Sequence, residues 1–278
     1  MNNKKKVLRN ANVYILYAAV LILFIVPIYW VIVTSFKQAN EMFSYPPKWF
    51  ALNPTIEHYK LVIMDSKMPL GFRNSMIISL SAVLITGLLS SLAAFGFSRF
   101  EAKSKKALLL FLITMKMLPT SVLIIPLYVM MNNFKMLDTF QGIISVYVAM
   151  NIPFSVWILK SFYDSIPREL DDAAKIDGCN TWAIFLKIIV PLTIPGLIAT
   201  SVITFFTCWN EFIISMILTS STNIQPMSIG LYSFMTEQGV KWGPITAATS
   251  IAIIIPGVIF VFLQKYFISG ITEGGIKG

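Results

Sequence analysis

Six stretches of the chain, at about 14–36, 74–97, 107–131, 139–163, 197–219 and 246–268, are nearly free of charge and each approaches the roughly 20 apolar residues a helix needs to cross a bilayer. Backbone groups have no water to bond with in hydrocarbon, so each stretch is predicted to be a helix. Together they predict an all-α polytopic membrane protein with six transmembrane helices. The first run follows a basic start, "MNNKKKVLRN", as a secretory leader does. Its apolar core exceeds the roughly 7–15 residues of a leader, and no convincing small-residue cleavage site follows. Residues 14–36 are therefore read as an uncleaved first span after a cytoplasmic segment 1–13, with a five-helix core over 70–268 and a tail at 269–278.

Several spans are more than anchors. Pro27, Pro119, Pro126, Pro153 and Pro256 lie inside them, and each removes a backbone donor that its neighbours must compensate. In "TGLLSSLAAFGF", Gly87 and Ser91, and Ser90 and Ala94, are small residues four apart, a spacing that lets helices approach closely. Ordinary bundle packing explains these features; kinks that open and close a pathway are the other reading. Two ionisable groups also fall within spans, Lys116 in "TMKMLPT" and Glu211 in "CWNEF". Charge there is costly and faces an interior, a cavity or a partner. Lys116 has the alternative of extending its stem to an interface. Glu211, with Asn210 beside it, is expected in the outer half of its span, at a polar interior or subunit contact.

Composition strengthens the membrane reading: 56% of residues are hydrophobic and 13% charged, against about 25% charged in soluble domains. The net charge of +9 forms no patch of the kind nucleic acid requires; the basic residues gather at the ends of apolar runs. Lys4, Lys5, Lys6 and Arg9, then Arg99, Lys103, Lys105 and Lys106, then Lys160, Arg168, Lys175 and Lys187 fall on one side and outnumber those opposite. That side is expected to be cytoplasmic, with both termini, leaving residues 38–73 and 220–245 outside. Cys179, Cys208 and His58 have no metal or disulfide spacing.

One stretch does not belong in a membrane. Residues 164–196, "DSIPRELDDAAKIDGCNTWAIFLKIIVPLTIPG", are predicted to form a cytoplasmic loop. Pro167 suits a helix start, Glu169, Asp171 and Asp172 put negative charge at its positive end, and Gly178 supplies a stop. Ile166, Leu170, Ala173 and Ala174 are spaced as one narrow apolar face. Acids outnumber bases from 164 to 178, the opposite of a helix resting on anionic lipid. The residues alone leave two readings, a helix that docks in a partner's groove or a solvated surface helix.

The stretch resembles the EAA loop of binding-protein-dependent ABC importer permeases, E-A-A-x-x-x-G followed by I-x-L-P. Asp172, Ala173, Ala174 and Gly178 occupy the first part, and Ile188, Val190 and Pro191 the second. "VTSFK", "FRNSM", "IPLY", "CWNEF" and "GITEGGIKG" follow the order seen in the second membrane subunit of maltose-type carbohydrate permeases. The resemblance implies the type I importer permease fold and a coupling helix that contacts an ATPase through Glu169, Asp171, Asp172, Ala173, Ala174, Asp177 and Gly178. It also implies a different second permease subunit, two ATPase subunits that use ATP and Mg, an extracytoplasmic solute-binding protein and a carbohydrate substrate. The outer loop 220–245 is expected to reach the binding protein. Gly274, Gly275 and Lys277 of the tail are expected to enter the ATPase interface.

The chain carries no G-x-x-x-x-G-K-[ST] phosphate loop, so it is expected to bind no cofactor and hydrolyse no ATP. A permease for glycerol-3-phosphate or another polyol-derived solute is the nearest alternative. A stand-alone secondary transporter would predict an internal repeat, and none is evident; no nucleophile, histidine and acid cluster suggests an enzyme.

Overall fold

Apolar runs with no water to satisfy their backbone become helices in the computed structural model of the protein, which describes residues 2–236 and 239–275, with side chains within 13–236 and 239–264. In chain order these are α1 (Asn2–Ser35), α2 (Ala39–Met42), α3 (Glu57–Met64), α4 (Met68–Arg99), α5 (Lys105–Lys116), α6 (Thr120–Asn133), α7 (Phe140–Asp164), α8 (Arg168–Ile176) and α9 (Thr181–Ile184). A π-helical turn, Phe185–Ile189, leads to α10 (Val190–Leu192), α11 (Ile194–Trp209), α12 (Ile213–Leu218) and α13 (Met227–Tyr232). The strands β1 (Met235–Thr236) and β2 (Gly239–Val240) pair antiparallel, Met235 opposite Val240, before α14 (Trp242–Gly275).

Among the described residues, four helical stretches, Val13–Ser35, Met68–Arg99, Phe140–Asp164 and Trp242–Gln264, are long and apolar enough to cross a bilayer unaided. Two bent pairs bring the total to six if each pair is one span: α5 with α6, at 99°, and Thr181–Leu192 with α11, at 74°. This corrects two expectations. The stretch 107–131 is two helices, because Pro119 cannot donate and the chain turns at Met117–Pro119. The stretch 197–219 is also broken, with α11 ending at Trp209 and α12 starting at Ile213.

The chain divides into two units, residues 1–69 with 231–254 and residues 70–230 with 255–278. In the first, polar side chains tie residues 37–58 together. Glu41 accepts from the Leu52 and Asn53 amides at 3.2 and 3.1 Å. Lys37 is buried; its Nζ donates to the Lys48 carbonyl at 2.6 Å and lies 4.1 Å from the Trp30 ring centroid. Burial pushes the Lys37 pKa down, opposed by the nearby Glu41 charge.

Among its described residues, the second unit holds two apolar clusters. One joins Ile78 and Ala82 of α4 to Ile143, Val146 and Tyr147 of α7 and to Leu218. The other joins Ala94 and Phe95 near the end of α4 to Leu159 and Tyr163 of α7, and both to Ile166, Ala174, Phe185 and Ile189. At the opposite end of α4, Asn74 Nδ2 donates to the Asn223 and Gln225 carbonyls at 2.9 and 3.0 Å. Asp138 Oδ1 accepts from the Ser220 and Ser221 amides at 3.0 and 2.9 Å, and the Ser221 amide is the main cause holding this carboxyl below its usual range. The Asp138 contribution is therefore complete at neutral pH and is lost only as pH falls through that depressed pKa.

The start of α7 tolerates no added atom. A Cβ on Gly142 would stand 2.1 Å from the Met136 carbonyl oxygen, while the Gly142 amide donates to the capping Thr139 hydroxyl at 3.1 Å. Gly142→Ala is expected to destabilise the protein by about 1–3 kcal/mol. Thermal unfolding in detergent reads this as a lower Tm, and an unchanged Tm would show that the close approach relaxes freely.

Candidate coupling surface

The acidic loop folds as a short, strongly amphipathic helix with defined ends. α8 starts after Pro167, carries Glu169 and Asp171 in its first turn and Lys175 in its last, and so complements the helix dipole at both ends. At its C-terminus the Cys179 amide bonds the Ala174 carbonyl at 2.8 Å and the Gly178 amide bonds Lys175 at 3.0 Å. This is the Schellman pattern, and it places Gly178 at φ +83°, where glycine carries no Cβ penalty. Asn180 Oδ1 then accepts from the Ala183 amide at 2.8 Å and starts α9.

The helix divides its residues differently from the expected face. Asp171 and Ala174 turn inward beside the buried Ile166, whereas Leu170 and Ala173 turn outward. Ile166 lies before Pro167 and outside the helix, so its spacing to Leu170 carries no helical phase. The outer surface presents Glu169, Leu170, Asp172, Ala173, Asp177 and Gly178, together with Ile176, which is 88% exposed. Asp172 Oδ1 accepts from Lys175 at 2.8 Å, and that bond holds the Asp172 carboxyl below the usual range.

Asp171 therefore turns its carboxylate inward, away from the exposed side of α8, where the loop resemblance implied an ATPase contact. Its Oδ2 lies 2.7 Å from Arg99 Nε, with 8% and 9% of the Arg99 and Asp171 side chains exposed. The pair is a close contact of charges without an aligned Nε hydrogen bond. Further bonds join the same elements. Arg99 Nη2 donates to the Ile166 carbonyl at 3.2 Å, and Arg168 Nη2 donates to the Ser98 carbonyl at 3.2 Å. Ser98 Oγ donates to Asp164 Oδ1 at 2.7 Å, and Lys160 pairs with Asp164. The last turn of α4 is thus bonded to α8 and to the segment that leads into it. Sequence reasoning counted Arg99 only as a cytoplasmic marker and passed over Ile176. The signal for Ile176 was an isolated apolar residue in a polar turn.

The remaining candidates lie apart from this surface. Lys116 ends α5 and its Nζ donates to the Met150 carbonyl of α7 at 3.0 Å. Glu211 sits in the break between α11 and α12. Its carboxylate accepts from the Ile214 and Ser215 amides at 2.8 and 3.0 Å and from the Tyr147 hydroxyl at 2.8 Å. It satisfies the first donors of α12, while Asn210 is exposed and bonds back to the Phe206 carbonyl at 2.9 Å. Gly274 and Gly275 are carried on the backbone of α14, and Lys277 lies outside the described residues.

Residues 86–273 match the family described as the binding-protein-dependent transport system inner membrane component. The chain is 31% identical to the diacetylchitobiose uptake system permease protein DasC of Streptomyces coelicolor, over 91% of each chain. It is also 31% identical to the sulfoquinovosyl glycerol transport system permease protein SmoH of Agrobacterium fabrum, over 91% of this chain and 88% of that one. A solved structure of a bacterial ABC transporter for import of the acidic polysaccharide alginate superposes with a TM-score of 0.83. It is 17% identical and covers 96% of this chain and 99% of its own. That likeness supports the fold.

Removing one member of the buried pair strands the other. Asp171→Asn leaves Arg99 buried without a counter-charge and is expected to cost about 3–5 kcal/mol. Limited proteolysis should then cut within residues 165–180 sooner, and the Tm should fall. Asp172→Asn removes only a solvated partner of Lys175 and should change neither measurably. Equal effects of the two substitutions would remove Asp171 from its assigned role.

Proposed function

The chain belongs to the binding-protein-dependent transport system inner membrane component family, and we propose that it is a membrane-spanning permease subunit that imports a carbohydrate delivered by an extracytoplasmic binding protein. Its family is that of the multi-pass, non-enzymatic membrane subunits of ABC importers. The carbohydrate assignment is supported by relatives named for diacetylchitobiose uptake and for sulfoquinovosyl glycerol transport.

The observation that carries the coupling role is α8, a helix held to the end of α4 on one side and offering Leu170, Ala173 and Ile176 to solvent on the other. Fully burying an isoleucine contributes about 1.5–3 kcal/mol, so Ile176 is the main apolar anchor for a groove on an ATPase subunit. Glu169, Asp172 and Asp177 flank it with negative charge suited to a basic rim. The assembly takes two such ATPases, which use ATP and Mg, and a second, different permease subunit. Closure of the ATPases moves α8, and the packed bundle switches between inward-facing and outward-facing arrangements.

Both termini lie in the cytoplasm in this reading, because the α8 side carries the larger share of Lys and Arg. A cysteine at Ser104 should be protected from an impermeant thiol reagent in intact cells, and one at Ser221 should react. The reverse pattern would place α8 outside and end its coupling role.

Gly178→Val tests the coupling itself. A Cβ there meets nothing within 4 Å in this chain, so the cost comes from the left-handed backbone, about 1–3 kcal/mol. The variant should insert normally, but it should lose co-purifying ATPase subunits or keep them without sugar uptake. Gly178→Asn, which tolerates this conformation better, should lose less. Parental levels of ATPase and uptake for Gly178→Val would show that α8 is not the coupling element.

A further inference from the structure

The bend between α5 and α6 opens a cavity of about 420 Å³ against α7. Its lining is mostly apolar and includes Met115, Met130 and Met150, with Lys116, Thr120 and Ser145 supplying polar atoms. Lys116 ends α5 at the bend, and its depth in the roughly 30 Å hydrocarbon layer follows from its partner on the long span α7. Met150, which receives its hydrogen bond, lies about 15 Å of rise from the Phe140 end of α7. The ammonium is thus directed at a mid-depth carbonyl and does not extend to an interface, the other course open to a membrane lysine.

Among the described residues no carboxylate lies within ion-pair distance of Lys116. A cation at this depth needs a counter-charge, and such residues mark the paths of charged solutes. Thr120 and Ser145 also line the cavity; Ser145 Oγ donates to the Gly142 carbonyl at 2.9 Å and is left as an acceptor for a sugar hydroxyl. Methionine side chains adapt to irregular apolar faces, which suits a solute that passes through without being held tightly. α6 also begins at this cavity with no side-chain cap, so its terminal dipole favours negative charge.

We propose that the cavity is a subsite on the translocation path for the carboxylate of a uronate-bearing carbohydrate, with Lys116 as its counter-ion. This deepens the carbohydrate-importer reading and rests on it. The Met150 carbonyl holds Lys116 toward the cavity between solutes, and the solute's anion replaces that weaker acceptor on arrival.

The test uses the complete transporter, with its ATPases and binding protein, in proteoliposomes offered neutral oligosaccharides and their uronate counterparts. The parent should import a uronate-bearing sugar. Lys116→Met should lower that uptake more than tenfold while the other subunits still co-purify, and Lys116→Arg should retain it. A parent that imports only neutral sugars overturns the inference and leaves the importer reading standing. Parental uronate uptake by Lys116→Met also overturns it. Loss of the second permease subunit from purified Lys116→Met overturns it too, because Lys116 would then pair with an acid of that subunit. A parent that imports neither class of sugar overturns the carbohydrate assignment and the inference together.

Discussion

Inside hydrocarbon, every backbone donor and acceptor must find its partner within the protein, and the breaks in this chain are intelligible only through that constraint. A helix that ends in mid-membrane exposes four amides or four carbonyls. At the break after Trp209 the cost is met by Glu211, whose carboxylate takes the Ile214 and Ser215 amides while Tyr147 donates to it from α7. At the break after Lys116, the ammonium reaches across to a carbonyl of α7. Glu211 and Lys116, the intramembrane charges among the described residues, therefore stand where a helix stops. One is consumed by the backbone it satisfies; the other faces a cavity.

The spans and the short acidic helix α8 were legible because their signals are long or doubly determined. Roughly 20 apolar residues in a row admit little besides a transmembrane helix, and Gly178 after a short acidic helix reads as a left-handed stop. The inward and outward sides of α8 were not legible. With only nine residues, its acids and apolar residues interleave, and the deciding partner, Arg99, is distant in sequence. The break at Asn210–Phe212 was hidden for another reason. It contains no proline or glycine, and a glutamate that caps a new helix looks in sequence like any buried charge. The bend at Pro119 was marked by its proline, but a proline alone does not separate a kink from a full turn of direction.

The buried pair of Arg99 and Asp171 orients α8 more than it stabilises it. Removing two charges from water costs several kcal/mol per ion, so a buried pair is weak evidence for net stability. A rotation of α8 about its axis would expose one charge, leave the other unpaired and turn Ile176 toward the protein. The pair thus fixes which residues face outward. The bonds from Arg99 to the Ile166 carbonyl and from Arg168 to the Ser98 carbonyl hold the entry into the helix in the same phase.

Relative magnitudes then decide how a pull on α8 is transmitted. A partner gripping Ile176 gains about 1.5–3 kcal/mol from that side chain. On the opposite side, Ile166, Ala174, Ile184, Phe185 and Ile189 are all buried in one cluster with Phe95 of α4 and with Leu159 and Tyr163 of α7. Peeling the loop away would expose several such side chains, each of similar worth, and would break the two bonds between α4 and the start of α8. The outer contact is therefore the weaker of the two. Under the proposed coupling role, a displacement imposed through that contact would carry the ends of α4 and α7 along, because the loop shares one buried cluster with both spans.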